Sequence, residues 1–226
     1  MKIWHISDTH ENHNQLIIPP DVDMIIHSGD ESNSPNIQNI QECRSFLEWY
    51  SQLPIKYKIL VAGNHSTAIA NKWITRNEIE AYGIIYLEHE YTEIEGIKIF
   101  GSPYTPTFGN WSFMKSRQTI NRLWDTVTEQ VDILVLHGPP KGILDLSYDR
   151  DGKLEKCGDN SLYKLIKRIQ PRLVCFGHIH DNEDNYNQGQ VLRDGVMYSN
   201  GSCVTDGKMG KISSNGNIFN LKYLKK

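Results

Sequence analysis

Five short polar clusters carry the residue types of metal chemistry: Asp8-Thr9-His10, Gly29-Asp30, Gly63-Asn64-His65, His137-Gly138 and Gly177-His178-Ile179-His180. Together they offer two carboxylates, one carboxamide and five imidazoles, with no thiolate. Nitrogen and oxygen donors without sulfur suit borderline divalent ions such as Mn, Fe, Zn or Ni. Any one cluster is a pattern that arises often by chance, and a solvated loop or a turn cap accounts for it. The spacing adds a reason to take them together. In an extended chain residues i and i+2 point to the same side. Asp8 with His10, and His178 with His180, are therefore expected to present ligands in pairs while Thr9 and Ile179 turn away.

Each cluster closes a short apolar run. "KIWHIS" leads into Asp8, "DMIIHS" into Gly29-Asp30, "KILVA" into Gly63-Asn64-His65, "DILVL" into His137 and "RLVCF" into Gly177-His178. Runs this short, rich in Ile and Val, predict buried strands. Helices are expected over about 36–52, where Ile37, Ile40, Leu47 and Tyr50 share a face, and over about 160–170, stopped by Pro171. Weaker helical patterns cover 68–82 and 116–130. "YTEIEGIKIFG" reads as a hairpin turning at Glu95-Gly96, and the tail from Gly189 as strands joined by Asp-Gly and Asn-Gly turns. The expectation is one mixed α/β domain over residues 1–226, with its polar clusters at the C-terminal ends of strands, where open α/β sheets bind ligands.

Composition bounds the rest. With 226 residues, 38% hydrophobic and 23% charged, and a net charge of -3, the chain has no broad basic character to bind nucleic acid or an anionic membrane. The four cysteines form no CxxC pair, so a thiolate zinc site or a dense disulfide framework is not expected. No apolar stretch approaches the ~18 residues of a membrane span, and "MKIWHISDTH" does not read as a signal peptide. A cytoplasmic location and no obvious protein partner follow as expectations.

The ordered set "SDTH", "SGD", "AGNH", "LHG" and "FGHIH" resembles the calcineurin-like metallophosphoesterases, whose pattern runs DxH, GD, GNH, H, GHxH. The likeness extends from residue 7 to residue 180. "FGSPYTPTFGNWSFM" and "HGPPKGILD" are further similar to the small metallophosphoesterase-domain-containing phosphodiesterase branch. The resemblance implies a four-layer αββα sandwich of two mixed β-sheets flanked by helices, and a binuclear metal centre. It places Asp8, His10 and His180 on one metal, Asn64, His137 and His178 on the second, and Asp30 between the two. It implies hydrolysis of a phosphoester by metal-activated hydroxide, with His65 as general acid and Asn64 as its neighbour at the reacting centre. Two divalent ions from Mn, Fe, Zn or Ni are the implied cofactors, Mn the one expected to support activity in vitro.

Protein phosphatases of this fold carry "GDxxDRG" and "GNHE", where this chain has "GDESNS" and "GNHS". The missing Arg removes a clamp suited to monoester dianions. A diester, singly charged at its phosphate, is the better expectation, in the form of a nucleotide, a short oligonucleotide or a small-molecule ester. A nuclease, a phosphomonoesterase and a metal-binding scaffold without turnover are the alternatives. Ser66 stands where an acid would support His65, which leaves the orientation of that imidazole open. The loop from Tyr104 to Phe113 is expected either to stack on a substrate ring or to pack onto the domain. His13 is a further candidate for substrate contact, Lys141 for a phosphate oxygen. His5 and His27 are expected inside strands, and His89 at the surface or in a turn.

Overall fold

Alternation along the strands decides how the layers form. In the computed structural model of the chain, which describes residues 1–149, 151–182, 184–205 and 211–224, strands β1 (Lys2–Ile6), β2 (Met24–His27), β3 (Tyr57–Leu60) and β4 (Ile85–Tyr86) lie parallel in one sheet. Trp4, Ile6, Ile25 and Leu60 point to one side of it and Ile3, Met24, Ile26 and Ile59 to the other. Strands β5 (Glu90–Ile94) and β6 (Ile97–Ser102) form the expected hairpin. Its turn residues Glu95 and Gly96 both have positive φ, the geometry that matches strand twist in a two-residue loop. Two short strands, β7 (Thr105–Pro106) and β8 (Met114–Lys115), pair with each other across the loop between them.

Further along the chain, β9 (Ile133–Leu136) is followed by a small antiparallel pair, β10 (Leu146–Tyr148) and β11 (Leu154–Lys156). Strands β12 (Leu173–Phe176), β13 (Gly189–Arg193) and β14 (Val196–Asn200) complete the second sheet, ordered β13-β14-β12-β9-β6-β5. Finally β15 (Asn217–Asn220) runs antiparallel beside β1 at the edge of the first sheet.

Helices α1 (Asn39–Gln52), α2 (Thr67–Ala70) and α3 (Arg76–Ala81) accompany the first sheet, and α4 (Arg117–Asp125) and α5 (Asn160–Ile169) the second. Cys43, Phe46, Leu47 and Tyr50 give α1 a buried stripe at i, i+3, i+4, i+7. Asp159 caps α5 by accepting from the Ser161 N–H, and Gln170 ends it in the left-handed region just before Pro171. A third apolar cluster fills the space between the sheets, drawing Ile26 and Ile59 from one and Ile99, Ile133 and Val135 from the other. The order of layers is therefore helix, sheet, sheet, helix, as the sequence resemblance implies.

Two helical expectations change. The 68–82 segment is two short helices, because Lys72 takes a left-handed conformation between them (φ 59°). Ile37 is 66% exposed and precedes α1 instead of joining its apolar face. Among the described residues no helix is long and apolar enough to cross a membrane.

Ile133 is fully buried in the layer between the sheets, on the strand next to β12. Ile133→Ala is expected to lower stability by about 2–5 kcal/mol through lost burial and the cavity left behind. Urea unfolding should show a lower midpoint at unchanged slope.

Candidate metal centre

Strands β1, β2, β3, β9 and β12 end at one edge, and the chain turns sharply beyond each. The turns differ from the extended pairing expected of the sequence. Asp8, His10, Asp30 and His178 all have positive φ, between 41° and 70°. These residues lie past the strand ends, so it is left-handed backbone, and not i, i+2 alternation, that aims their side chains. For residues with a Cβ such conformations cost free energy and cluster at functional sites. Ile179, between the two histidines, is only half-buried and lines a cleft.

The side chains form two groups. Asp8, His10 and His180 bring ligand atoms within 4.8 Å of one another, and Asp30, His137 and His178 do the same. His180 Nε2 lies 3.1 Å from Asp8 Oδ1, and the His10 and His180 rings are 5.3 Å apart. In the second group His137 Nε2 is 3.2 Å from Asp30 Oδ2 and 2.8 Å from Asn64 Oδ1.

Close approach explains two of the glycines. A Cβ on Gly177 would stand 2.0 Å from Asp8 Oδ2, and one on Gly63 would stand 2.2 Å from Asp30 Oδ1. Asp8 is held from several sides, accepting from the His178 N–H at 2.9 Å and the Ser202 hydroxyl at 2.9 Å. Ser202 and its role were not legible in the sequence: Asn200-Gly201, which reads as a turn, instead closes β14 at Asn200 and runs into a bridge between Ser202 and Ser7.

Electrostatics prepare these groups as ligands. Burial pushes the Asp8 and Asp30 carboxyls up, but neighbouring imidazoles outweigh it, His180 foremost at Asp8 and His137 at Asp30. Both are held well below the ordinary carboxylate range. Burial pushes His10 down to about 4, and burial together with His137 pushes His178 down to about 3. Carboxylate and neutral imidazole are the forms that bind a cation. His137 goes the other way, to about 9, because the Asp30 carboxylate outweighs the cost of burial. Its Nδ1 faces the Ser28 carbonyl at 3.0 Å and must carry a proton there. Its Nε2 faces two oxygens, so either a second proton or a cation has to stand between them. Neither His10 nitrogen has a hydrogen-bond partner among the described residues although the side chain is buried. Buried polar atoms are normally satisfied, and a bound cation would satisfy these. The residues present fit two divalent ions.

His65 sits at the mouth. Its ring lies 4.9 Å from that of His10 and 4.6 Å from the indole of Trp111. Its Nδ1 contacts the Asn33 carbonyl at 3.0 Å. A carbonyl can only accept, so Nδ1 holds the proton and Nε2 is left to the site. Ser66 does not support this ring. Its hydroxyl donates to the buried Glu31 carboxylate at 2.6 Å and accepts from the Gly63 N–H at 2.8 Å, tying the Asp30 loop to the Asn64 loop.

The 104–113 loop divides between the two expectations. Phe113 and Tyr104 pack against apolar clusters. Phe108 is 55% and Trp111 39% exposed, and they rim the site, with Phe108 5.2 Å from the His178 ring. The Ser112 N–H donates to the Asn64 carbonyl at 3.1 Å and fixes this loop to the centre. Beside His178 opens a cleft of about 550 Å³, lined also by Phe108, Tyr148, Arg117, Lys141 and Lys156. His13 lies elsewhere, buried against Phe46 and Trp49. His5 and His27 are buried in their strands, and His89 occupies a turn with positive φ.

The family model for calcineurin-like phosphoesterases matches residues 1–182. The human protein named metallophosphoesterase domain-containing protein 1 is 33% identical over 227 aligned residues. That alignment takes in 88% of this chain and 65% of the human protein, so the chain spans about two thirds of the length of that relative. A UPF0046 protein of Caenorhabditis elegans is 31% identical over 206 residues, covering 84% of this chain and 67% of its own length. The crystal structure of phosphopantetheinyl hydrolase from Mycobacterium tuberculosis shares the fold, with a TM-score of 0.57 at 18% identity over 92% of this chain and 90% of that one.

Gly177→Ala tests the packing of the first ligand group. The added methyl has to displace Asp8, so the variant is expected to lose bound divalent metal by elemental analysis while keeping its circular dichroism spectrum. Full metal content would show that Asp8 is not a ligand.

Proposed function

This chain belongs to the calcineurin-like phosphoesterase family, and on that premise we propose that it is a binuclear metal-dependent phosphodiesterase. The observation that carries the proposal is the convergence of two buried ligand groups at a mouth with an aromatic rim on two sides. A diester has two organic arms to accommodate, and the mouth offers Trp111 over His65 on one side and the Phe108–Tyr148 cleft beside His178 on the other.

In this reading Asp8, His10 and His180 would hold one ion, Asn64, His137 and His178 would hold the other, and Asp30 would contribute to both sites. When bound, two divalent cations would supply Lewis acidity towards the phosphoryl oxygens and a water acidic enough to serve as nucleophile near neutral pH. The protein's own side chains do the rest. His65 acts in its doubly protonated form: with Nδ1–H held on the Asn33 carbonyl, it gives the Nε2 proton to the departing oxygen and is left as the neutral Nδ1–H imidazole. Trp111 covers the leaving arm, and Phe108 and Tyr148 take the retained arm. Arg117, Lys141 and Lys156 make no ion pair among the described residues and are free to meet an anionic group on that arm. Flat rings and these cationic side chains together favour a nucleotide-type diester. Mn²⁺ is the ion expected to support turnover in vitro.

Hydrolysis of bis-p-nitrophenyl phosphate is expected to require added divalent metal and to exceed that of p-nitrophenyl phosphate. Asp30→Ala should abolish it. No metal-dependent turnover of either ester would sink the enzyme reading, and a strong monoester preference would sink the diesterase one.

The rim gives a separate expectation. Trp111→Ala and Phe108→Ala should each raise KM for an aryl or nucleoside diester, in keeping with ~1–3 kcal/mol per stacked ring. An unchanged KM in both would remove these rings from substrate binding.

A further inference from the structure

His65 has no acid beside it in sequence, yet its imidazole is aimed. The first turn of α1 is where the aiming originates. Asn39 and Glu42 are three residues apart and share one helix face. Both are buried; Asn39 meets Ser34 and the segment after Gly63, and Glu42 meets Asn33 and Ser34. Asn39 Nδ2 donates to the His65 carbonyl at 2.9 Å and to the Ser34 carbonyl at 2.7 Å, and its Oδ1 accepts from the Ala68 N–H at 2.8 Å. The His65 N–H donates to Asp30 Oδ1 at 2.7 Å. The backbone of His65 is thus held at both ends.

Glu42 governs the ring. Its Oε2 accepts from the Asn33 N–H at 2.9 Å and the Ser34 N–H at 2.8 Å, and its Oε1 accepts from the Ser34 hydroxyl. The Ser34 N–H and the Asn33 carbonyl belong to one peptide group. In a trans peptide they point in opposite directions. The same peptide therefore has the Glu42 carboxylate on its N–H edge and the His65 Nδ1–H on its C=O edge, at 3.0 Å. A carboxylate accepting on the donor edge pushes electron density through the amide towards the carbonyl oxygen and makes it a stronger acceptor, since hydrogen bonds in a chain polarise one another. Resting on the reading of His65 as the proton donor, we infer that Glu42 is its positioning residue, acting through the Asn33–Ser34 peptide. It fixes the loop whose carbonyl fixes the imidazole, so that Nδ1 keeps its proton and Nε2 stays turned to the departing oxygen. Glu42 touches neither substrate nor the ligand groups.

Leaving-group dependence separates this role from a structural one. Nitrophenolate departs with little protonation, whereas the alkoxide of a dinucleoside monophosphate needs it. Glu42→Gln, which keeps shape and removes charge, is expected to lower kcat/KM for the dinucleoside monophosphate roughly 10- to 100-fold, the usual cost of losing a residue that orients a functional imidazole. Turnover of bis-p-nitrophenyl phosphate and the metal content should hardly change. His65→Ala sets the scale, with a larger loss on the same substrate. In the metal-free protein, long-range ¹H–¹⁵N spectra should show His65 as the Nδ1–H tautomer and the Glu42→Gln variant as a mixture of tautomers. Equal losses on both substrates, or none, would overturn the inference when His65→Ala does discriminate, and so would an unchanged tautomer. If His65→Ala does not discriminate, the reading of His65 fails instead, and the tautomer alone decides whether Glu42 positions the ring. Should the Gln variant not fold, Glu42→Asp, which withdraws the carboxylate by one methylene, is read by the same two measurements.

Discussion

Two carboxylates without solvent are the constraint on which this structure turns. Asp8 is fully buried and Asp30 nearly so, and an isolated buried carboxylate is costly enough to take up a proton instead. Both stay ionised because donors converge on them: the His178 N–H, Ser202 and His180 on Asp8, the His65 N–H and His137 on Asp30. Those donors come from chain segments far apart in sequence. They can meet only if the two sheets present their strand ends at the same edge, which parallel order within each sheet secures for β1, β2, β3, β9 and β12. The sandwich is in this sense the apparatus that makes two buried anions tolerable, and the neutral imidazoles of His10 and His178 beside them make the place attractive to cations.

Much of this was legible in the primary structure, for a physical reason. A buried strand of a parallel sheet is an uninterrupted apolar run, and a ligand at its end is a polar residue that interrupts it, so strands and candidate ligands announced each other. The Glu95-Gly96 and Asp194-Gly195 turns were equally plain because few dipeptides take positive φ at both positions. The manner in which the ligands are aimed was not legible. Alternation explained the spacing of Asp8 and His10 by extended backbone, whereas the chain spends strain there in the left-handed region. Nothing local in "SDTH" distinguishes the two, because the conformation is imposed by contacts with Gly29, Asp30 and Gly201 across the sheet edge. His13 shows the same limit. Its nearness in sequence to His10 suggested the site, and its burial beneath Trp49 depends on where α1 packs.

The loop from 104 to 115 illustrates how one segment meets two demands. Its inner aromatics, Tyr104 and Phe113, satisfy the domain; its outer ones, Phe108 and Trp111, are left exposed at the mouth. Composition alone made stacking and packing equal readings, since each needs the same rings. The hydrogen bond from the Ser112 N–H to the Asn64 carbonyl separates them, by fixing the loop to the backbone of a candidate ligand so that the exposed rings stand over the centre. Loop and centre must then move together.

Position 66 carries no acid to support His65, and its side chain has another task. Ser66 donates to Glu31 and accepts from the Gly63 N–H, cross-linking the two ligand loops. The orienting negative charge is moved instead to Glu42, in the first turn of α1, where the helix dipole favours it. One peptide group separates it from the imidazole: close enough to order the acceptor of Nδ1–H, and far enough to stay out of the ligand field. A binuclear centre that employs a histidine beside its ligands has to orient that ring without adding a ligand, and a peptide-relayed carboxylate meets both requirements.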